Sequence, residues 1–398
     1  MNERLTQAID AVFTDILQLR QEIHTYPELG YQEKETTARL HAFLSAHGVP
    51  VQVFDDFTGA VANIEAGAAH TVGFRGDIDA MPLQEKTGVA FASQNPGVMH
   101  ACGHDAHAAI AAGVAVILHK IKDILPCNAR ILFQPAEECS PVGGAKKFIE
   151  KGLVQGLDCI MGLHVWPTVP EGEVGVRPGH LMAASDKMTL TITGKKSHAG
   201  EPHKGVDAIG IGVDIVSALK KLISQETDPF EPAVLSIGEF NSSGRYNVIC
   251  DTVTIGGTLR TYAPEVRERL HKRIFEITQS LAKAAGGFCE TTVAKGYDSV
   301  YNDPEFTRAF VHSASQTLGG KAVNADVART MVGEDFSFFG TVAPAFYFFL
   351  GAGCQYPLHS DTFIVSEGAI RTALQVTCEF FLSESLQEAL QQRSSKTV

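Results

Sequence analysis

Along the first part of the chain, stretches with helical period alternate with short apolar runs of strand character. Arg39–Leu44 falls in a helical pattern that ends near Gly48, and Val51–Phe54 begins an extended run. Thr71–Arg75 reads as a short strand that leads at once into Gly76-Asp77-Ile78-Asp79. Ala106, Ala109, Ile110, Gly113, Val114, Ile117 and Leu118 recur at helical spacing and predict a helix with one buried face. A strand at Arg130–Gln134, a helix around Gly144–Lys151 and a strand at Cys159–Leu163 follow. Strands separated by helices predict a mostly parallel sheet with helices on both faces.

The pattern changes near Ala184. Lys187–Thr193 alternates like a half-exposed strand, and Val206–Leu222 is a long amphipathic helix. Val234–Phe240 and Val253–Arg260 read as strands, Pro264–Ala284 as a helix with proline in its first turn, and Glu290–Ala294 as a closing strand. That βαββαβ order is the ferredoxin-like motif. After Gly296 the α/β signals resume, with an apolar strand at Ala345–Leu350 and a helix from Glu367 to Leu382. The fold expected is α/β. A mostly parallel-sheet catalytic domain over residues 1–183 and 296–398 is interrupted by an inserted ferredoxin-like α+β domain over 184–295. Two crossings, near Ala184 and Gly296, would let the insert hinge as a lid.

Composition narrows the function. The chain has 398 residues, 44% of them hydrophobic and 20% charged, which suits a soluble protein with two cores. The net charge of −12 sets nucleic acid and anionic membranes aside as main partners, because both would be repelled at long range. Met1–Asp10 lacks the apolar core of a signal peptide, and the longest apolar stretch, Ala108–Leu118, is about half a bilayer span. A cytoplasmic location is expected. The eight cysteines show no paired spacing, so reduced and mostly buried thiols are expected, with Cys102 as the exception.

That exception comes from where metal-type residues fall. Asp77 and Asp79 follow the strand Thr71–Arg75; Glu137 and Glu138 follow Arg130–Gln134; His164 follows Cys159–Leu163; His359 comes nine residues after Ala345–Leu350. Open α/β sheets bind ligands outside the carboxyl ends of their strands. In His100-Ala-Cys-Gly-His-Asp-Ala-His107, Cys102 and His104 sit on the entry turn of the buried helix, where the dipole favours a thiolate. Cys102, His104, Glu138, His164 and His359 supply five ligands of mixed S, N and O type. One open catalytic zinc takes three, so the set suits two ions with a shared ligand. Neighbouring side chains on an extended segment project in different directions, so one glutamate of the 137–138 pair would bind metal and the other act as general base. The spacing does not say which.

These segments carry a family likeness. His24-Thr-Tyr-Pro-Glu-Leu-Gly30, Asp77-Ile-Asp-Ala-Met-Pro82, Met99-His-Ala-Cys-Gly-His-Asp105, Gln134-Pro-Ala-Glu-Glu138, Gly162-Leu-His-Val-Trp166, Ser197-His-Ala-Gly-Glu-Pro202 and Leu358-His359 span nearly the whole chain. Together they resemble the metallopeptidase family of aminoacylases and glutamate carboxypeptidases, in its branch of hippurate hydrolases and auxin-conjugate amidohydrolases. The resemblance implies that Cys102 bridges two ions, with Glu138 and His359 completing one shell and His104 and His164 the other. It implies Glu137 as base, Asp79 orienting the site from behind, His198 polarising the scissile carbonyl, and Asn247 and Arg260 holding the substrate carboxylate. It also implies pairing of the insert with another subunit, hence a homodimer or dimer-based homo-oligomer, in which His198 could serve a neighbour's site. One departure concerns Gly244-Arg245-Tyr246, which is bulkier and more polar than the family pattern and bears on substrate choice.

The activity expected is hydrolysis of N-acyl amino acids, N-acetyl or N-benzoyl, at a centre of two divalent ions (zinc or manganese, with cobalt or nickel compatible). A dipeptidase or carboxypeptidase on the same scaffold is the nearest rival. A thiol hydrolase built on Cys102 leaves Glu138, His164 and His359 unexplained, and a silent metal-binding protein leaves the spare carboxylate unexplained. Taken singly, His198 reads as a surface histidine as readily as a catalytic one, and Arg260 as a salt-bridge partner. His100 and His107 are read as orienting or packing groups, and Glu334 and Asp335 as a helix N-cap pair.

Overall fold

The computed structural model describes residues 2–396, and contacts divide the chain into two units. The first comprises Met1–Leu181, Val300–Ala328 and Asp335–Val398; the second comprises Met182–Ser299 and Arg329–Glu334. The chain therefore passes between units four times rather than the two expected.

An eight-stranded mixed sheet organises the first unit. Its centre is parallel: Asn128–Gln134, Thr71–Asp77, Cys159–Trp166 and Ala345–Gly351 lie side by side in that order. Ala60–Ile64 and Val174–Gly175 flank them antiparallel. The four central strands thus end on one edge of the sheet. Two of them run further than their apolar runs suggest. Asp77 is the last residue of its strand, and His164 lies inside Cys159–Trp166, because ladder pairing continues through Val165 and Trp166 to Leu350 and Gly351.

The helix His104–Lys120 is central, and every residue from His104 to Leu118 is buried. The expected single apolar face is a full circumference, since the helix packs between the sheet, Glu3–Thr25 and Glu367–Leu382. Gly113 permits that approach: a Cβ there would stand 2.7 Å from both Ile16 Cδ1 and Leu374 Cδ2. Each fully buried Ile or Leu in this layer stabilises by roughly 1.5–3 kcal/mol.

The second unit is a four-stranded antiparallel sheet in the order Ala233–Ser242, Thr252–Thr261, Ala184–Thr193, Phe288–Tyr297. Helices Ala208–Glu226 and Pro264–Ala284 cover one face, so Met188, Leu190 and Ile192 meet Ile211, Ile215, Leu270 and Ile274 in a core of their own. This is the ferredoxin-like arrangement. Asp186, on the first strand of the unit, accepts hydrogen bonds from Arg267, His271 and the Gly296 amide, and so ties the beginning of the unit's sheet to its last strand. Arg329–Glu334 also joins this unit, where the Ala183 amide donates to the Val332 carbonyl at 3.0 Å.

Candidate metal centre

The turn before the helix His104–Lys120 gathers the site. Gly103 is its N-cap in a left-handed conformation, φ +84°, and the His100 carbonyl accepts from the Gly103 amide at 3.2 Å. Cys102 lies on this turn and His104 opens the helix. The His359 amide donates to the Ala101 carbonyl at 2.9 Å, which fastens the loop after Ala345–Gly351 to the same turn. Two non-glycine residues around the site, Ala136 and His359, are held at φ +57° and +64°. Such a conformation costs about 1–2 kcal/mol per residue and persists only where the surroundings over-determine it.

Three ligand-type atoms, from Cys102, His104 and His164, lie within 4.8 Å of one another. So do those of Cys102, Glu138 and His359, and those of His104, Glu137 and Glu138. Cys102 belongs to the first two groups. Adjacent Glu137 and Glu138 were expected on an extended segment that separates them. The turn expected at Pro135-Ala136 is present, with Ala136 in a left-handed conformation, and both carboxylates reach the neighbourhood of His104.

Backbone and carboxylate partners set the histidine tautomers. His164 Nδ1 donates to the Val165 carbonyl at 2.7 Å, leaving Nε2 directed at Cys102 Sγ, 3.3 Å away. His104 Nδ1 faces the Asp79 carbonyl at 3.0 Å and its carboxylate at 3.2 Å, so Nε2 is turned inward. Among the described residues His104 Nε2 and Glu138 Oε1 are buried and have no hydrogen bond of good geometry, their nearest charged neighbours being Asp77 Oδ2 at 3.7 Å and His359 Nε2 at 3.3 Å. Buried polar atoms without partners are costly, and these are donor atoms a cation would engage. His359 Nε2 stands 3.3 Å from Glu138 Oε1 on the more open side. The S, N and O donor set and these two poorly satisfied buried atoms both fit divalent transition metals.

Electrostatics point the same way. Burial disfavours charge on His104, but Asp77, Asp79 and Glu138 outweigh it and raise its pKa to about 10. Burial, reinforced by His107, pushes His164 down to about 3 and keeps it neutral. Burial and the carboxylates of Glu138 and Glu137 hold the Cys102 thiol well above its ordinary range. The Cys102–His164 pair resembles a nucleophile and its base, yet a working thiolate–imidazolium pair needs the cysteine pKa lowered. Both shifts here run against that pair. Asp77, Asp79, Glu137 and Glu138 gather negative charge around Cys102 and His104, which a cation would balance.

Behind these donor groups lies a network that sequence reasoning only partly reached. Asp79 Oδ2 accepts from the Glu138 amide at 2.9 Å while Oδ1 faces His104. His107 donates from Nδ1 to Asp77 at 2.6 Å and accepts from the Val165 amide on Nε2 at 3.0 Å, which occupies both ring nitrogens. Arg75, fully buried, joins Asp77, Gln134 and Asp335. Glu334 and Asp335 do stand at the entry of a short 3-10 helix, Asp335–Thr341, but the Asp335 carboxylate is turned to Arg75 and also accepts from Gln134 and the Ala145 amide. An arginine inside a buried strand was the missed signal, since such a charge must find partners. Glu33 was missed too. It is wholly buried and accepts from the Ala136 amide at 2.8 Å and from the Thr58 hydroxyl at 2.6 Å.

Three expected site residues belong to the second unit. His198 and Asn247 are neighbours on a small ribbon, where Val248 pairs with His198 and the Ala199 amide donates to the Asn247 carbonyl at 3.1 Å. The Gly200 amide donates to His198 Nδ1 at 3.1 Å, so in the neutral ring the proton sits on Nε2. Arg260 is the penultimate residue of Thr252–Thr261, on the four-stranded sheet, and burial lowers its pKa. Tyr246, beside Asn247, is fully exposed.

The fold and a clustered S/N/O donor set describe a metallohydrolase, and comparison with known proteins gives the family. The chain belongs to peptidase family M20/M25/M40, whose profile matches residues 73–383. It is 36% identical over 377 residues to an N-acetyl-L-cysteine deacetylase of Bacillus subtilis, covering 94% of this chain and 88% of that protein. It is 34% identical to thermostable carboxypeptidase 1 of Saccharolobus solfataricus, covering 93% and 95%. Among solved structures, a dinuclear metal-binding peptidase of the M20 family from Bacillus subtilis superposes with a TM-score of 0.81 at 31% identity, covering 94% of this chain and 98% of that one.

Proposed function

We propose that the protein hydrolyses the amide bond of N-acyl amino acids, releasing a carboxylic acid and an amino acid. The observation that carries this reading is the pair of donor triplets sharing Cys102, with the buried carboxylate of Glu137 beside them. Cys102, His104 and His164 would hold one divalent ion, and Cys102, Glu138 and His359 the second. Zinc or manganese suits that shell, and cobalt or nickel is compatible. When bound, the two ions lower the pKa of a water and polarise the substrate carbonyl. Glu137 takes the proton of the attacking water and returns it to the leaving amine. Asp79 keeps the His104 ring and the Glu138 backbone in register. His198, with its proton on Nε2, donates to the developing oxyanion, and Asn247 and Arg260 hold the substrate carboxylate. The second unit is read as an inserted lid and dimerisation domain, and the working form as a cytoplasmic homodimer or dimer-based homo-oligomer. The N-acetyl-L-cysteine deacetylase relative supports the choice of substrate.

A carboxypeptidase on the same site is the second reading, favoured by the Saccharolobus relative. Steady-state kinetics on the metal-reconstituted protein, with N-acetyl and N-benzoyl amino acids set against dipeptides and N-blocked peptides, separates the two. Higher kcat/KM on simple N-acyl amino acids is expected. Preference for peptides by tenfold or more overturns the first reading in favour of the second.

A further inference from the structure

The step from the strand Asn128–Gln134 into Glu137 and Glu138 is conformationally unusual. Pro135 precedes Ala136, and Ala136 is held at φ +57°, a region that alanine avoids. Local sequence does not favour that state, so something must hold it. The Ala136 carbonyl accepts from the Gly144 amide at 3.1 Å, and the Ala136 amide donates to Glu33 Oε1 at 2.8 Å. Glu33 itself is fixed, because its second oxygen accepts from Thr58 at 2.6 Å and the side chain has no exposed surface. Two residues on, Asp79 accepts from the Glu138 amide. Buried carboxylates thus grip the peptides on both sides of Glu137.

We propose that Glu33 is a positioning residue for the reaction: it clamps the Ala136 peptide in its left-handed conformation and thereby aims the Glu137 carboxylate. The inference rests on the reading of Glu137 as general base. Glu33 keeps a lone pair on Oε1 for the amide in either protonation state, so what the clamp needs is an acceptor of this shape and not a charge. Without the clamp, Ala136 relaxes toward an ordinary conformation; Asp79 still holds the Glu138 amide, so the displacement falls on Glu137. A small misplacement of a catalytic group is enough to cost a large share of the rate.

Glu33→Gln and Glu33→Met separate the acceptor from the shape, since the two side chains have nearly the same volume and only glutamine can accept. In the metal-loaded protein, Glu33→Gln is expected to stay within about threefold of wild-type kcat. Glu33→Met is expected to lower kcat roughly 10–100-fold, part of the 10²–10⁴ a general base supplies, with KM and metal content unchanged. Glycine adopts the left-handed region freely, so the loss caused by Glu33→Met should shrink severalfold when measured against an Ala136→Gly parent. A merely structural role predicts equal losses in both backgrounds. Equal damage from Gln and Met, an undiminished loss in the glycine background, or wild-type kcat in Glu33→Met overturns the proposal. Hydrogen exchange at the Ala136 amide is read alongside on the folded, metal-loaded wild type and needs neither a variant nor turnover. Slow exchange is expected, and fast exchange overturns the clamp even if Glu33→Met fails to fold. If no N-acyl amino acid or peptide is hydrolysed while the amide is protected, the assigned activity has failed and the clamp has not.

Discussion

Gly103→Ala probes the turn that gathers the candidate donor groups. At φ +84° an alanine pays about 1–2 kcal/mol for its left-handed backbone. Its Cβ would also stand 2.6 Å from Val165 Cγ2 and 3.1 Å from Val365 Cγ2, both on buried side chains. Overpacking of that kind costs typically 1–3 kcal/mol, so the sum is roughly 2–5 kcal/mol for the first unit. Gly172→Ala is the matched control: φ is +81° there, but nothing lies within 4 Å of the added carbon. The chain has a single tryptophan, Trp166, stacked at 4.1 Å on Phe349 in the strand that carries His164. Its fluorescence therefore reports unfolding of this unit. Urea titrations of the metal-free protein should place Gly103→Ala below Gly172→Ala by about 1–3 kcal/mol. Metal affinity should fall in Gly103→Ala alone, because the displaced turn carries Cys102, His104 and the anchor of His359. Equal stability and equal metal binding in the two variants would refute the close packing assigned to this turn.

Three further outcomes are expected. Elemental analysis of the loaded protein should give about two divalent ions per chain; Cys102→Ala should lose metal, whereas Cys102→Asp should keep part of it. Glu137→Ala should lower kcat by roughly 10²–10⁴ with metal retained, while Glu138→Ala should lose metal as well; reversed behaviour means base and ligand are exchanged. His24 donates to Asp105 at 2.7 Å and lies 3.2 Å from Glu85; burial opposes its charge, but these partners raise its pKa to about 9. A raised pKa gives stability that is full below pH 6.5 and lost as pH rises through about 9. The advantage of wild type over His24→Phe in denaturant titrations of the metal-free protein, roughly 3 kcal/mol at most, should shrink across that window, and a pH-independent difference would remove His24 from it.

The periodic parts of this fold were legible because burial writes them into sequence. Pro264–Ala284 and Glu367–Leu382 have the bounds expected from their apolar spacing. The long first helix, Glu3–Thr25, was not foreseen, because its polar, mixed-charge residues mask the spacing of Leu5, Ile9, Val12, Ile16 and Leu19. Strand ends were harder. Asp77 and His164 are polar residues within strands, and an apolar run cannot signal the ladder that continues through them. At the site, residue type and strand-end position brought Cys102, His104, Glu138, His164 and His359 under suspicion without any geometry. For the groups that act through buried pairing, sequence offers only the sign that an arginine within a buried strand needs partners, and it does not name them. Arg75, Asp335 and Glu33 are hundreds of residues apart in some pairs and carry no local pattern.

The return of Arg329–Glu334 to the second unit has a consequence for how the chain is made. That unit looks like an insert that could fold once Ser299 has been synthesised, yet its first strand region is completed by residues made later. Met182 bridges to Thr330, Ala183 bonds Val332, and the Arg329 guanidinium lies 4.7 Å over the Tyr262 ring. During translation the unit must wait, with one margin open, while the strand and helix of Val300–Ala328 emerge for the other unit. Domains generally fold as units in order of synthesis; here the two are interleaved, and neither is complete until the ribosome has passed Glu334. Excision of residues 182–299 as a self-contained module would leave that margin uncovered, so a transplantable version must carry the downstream segment with it.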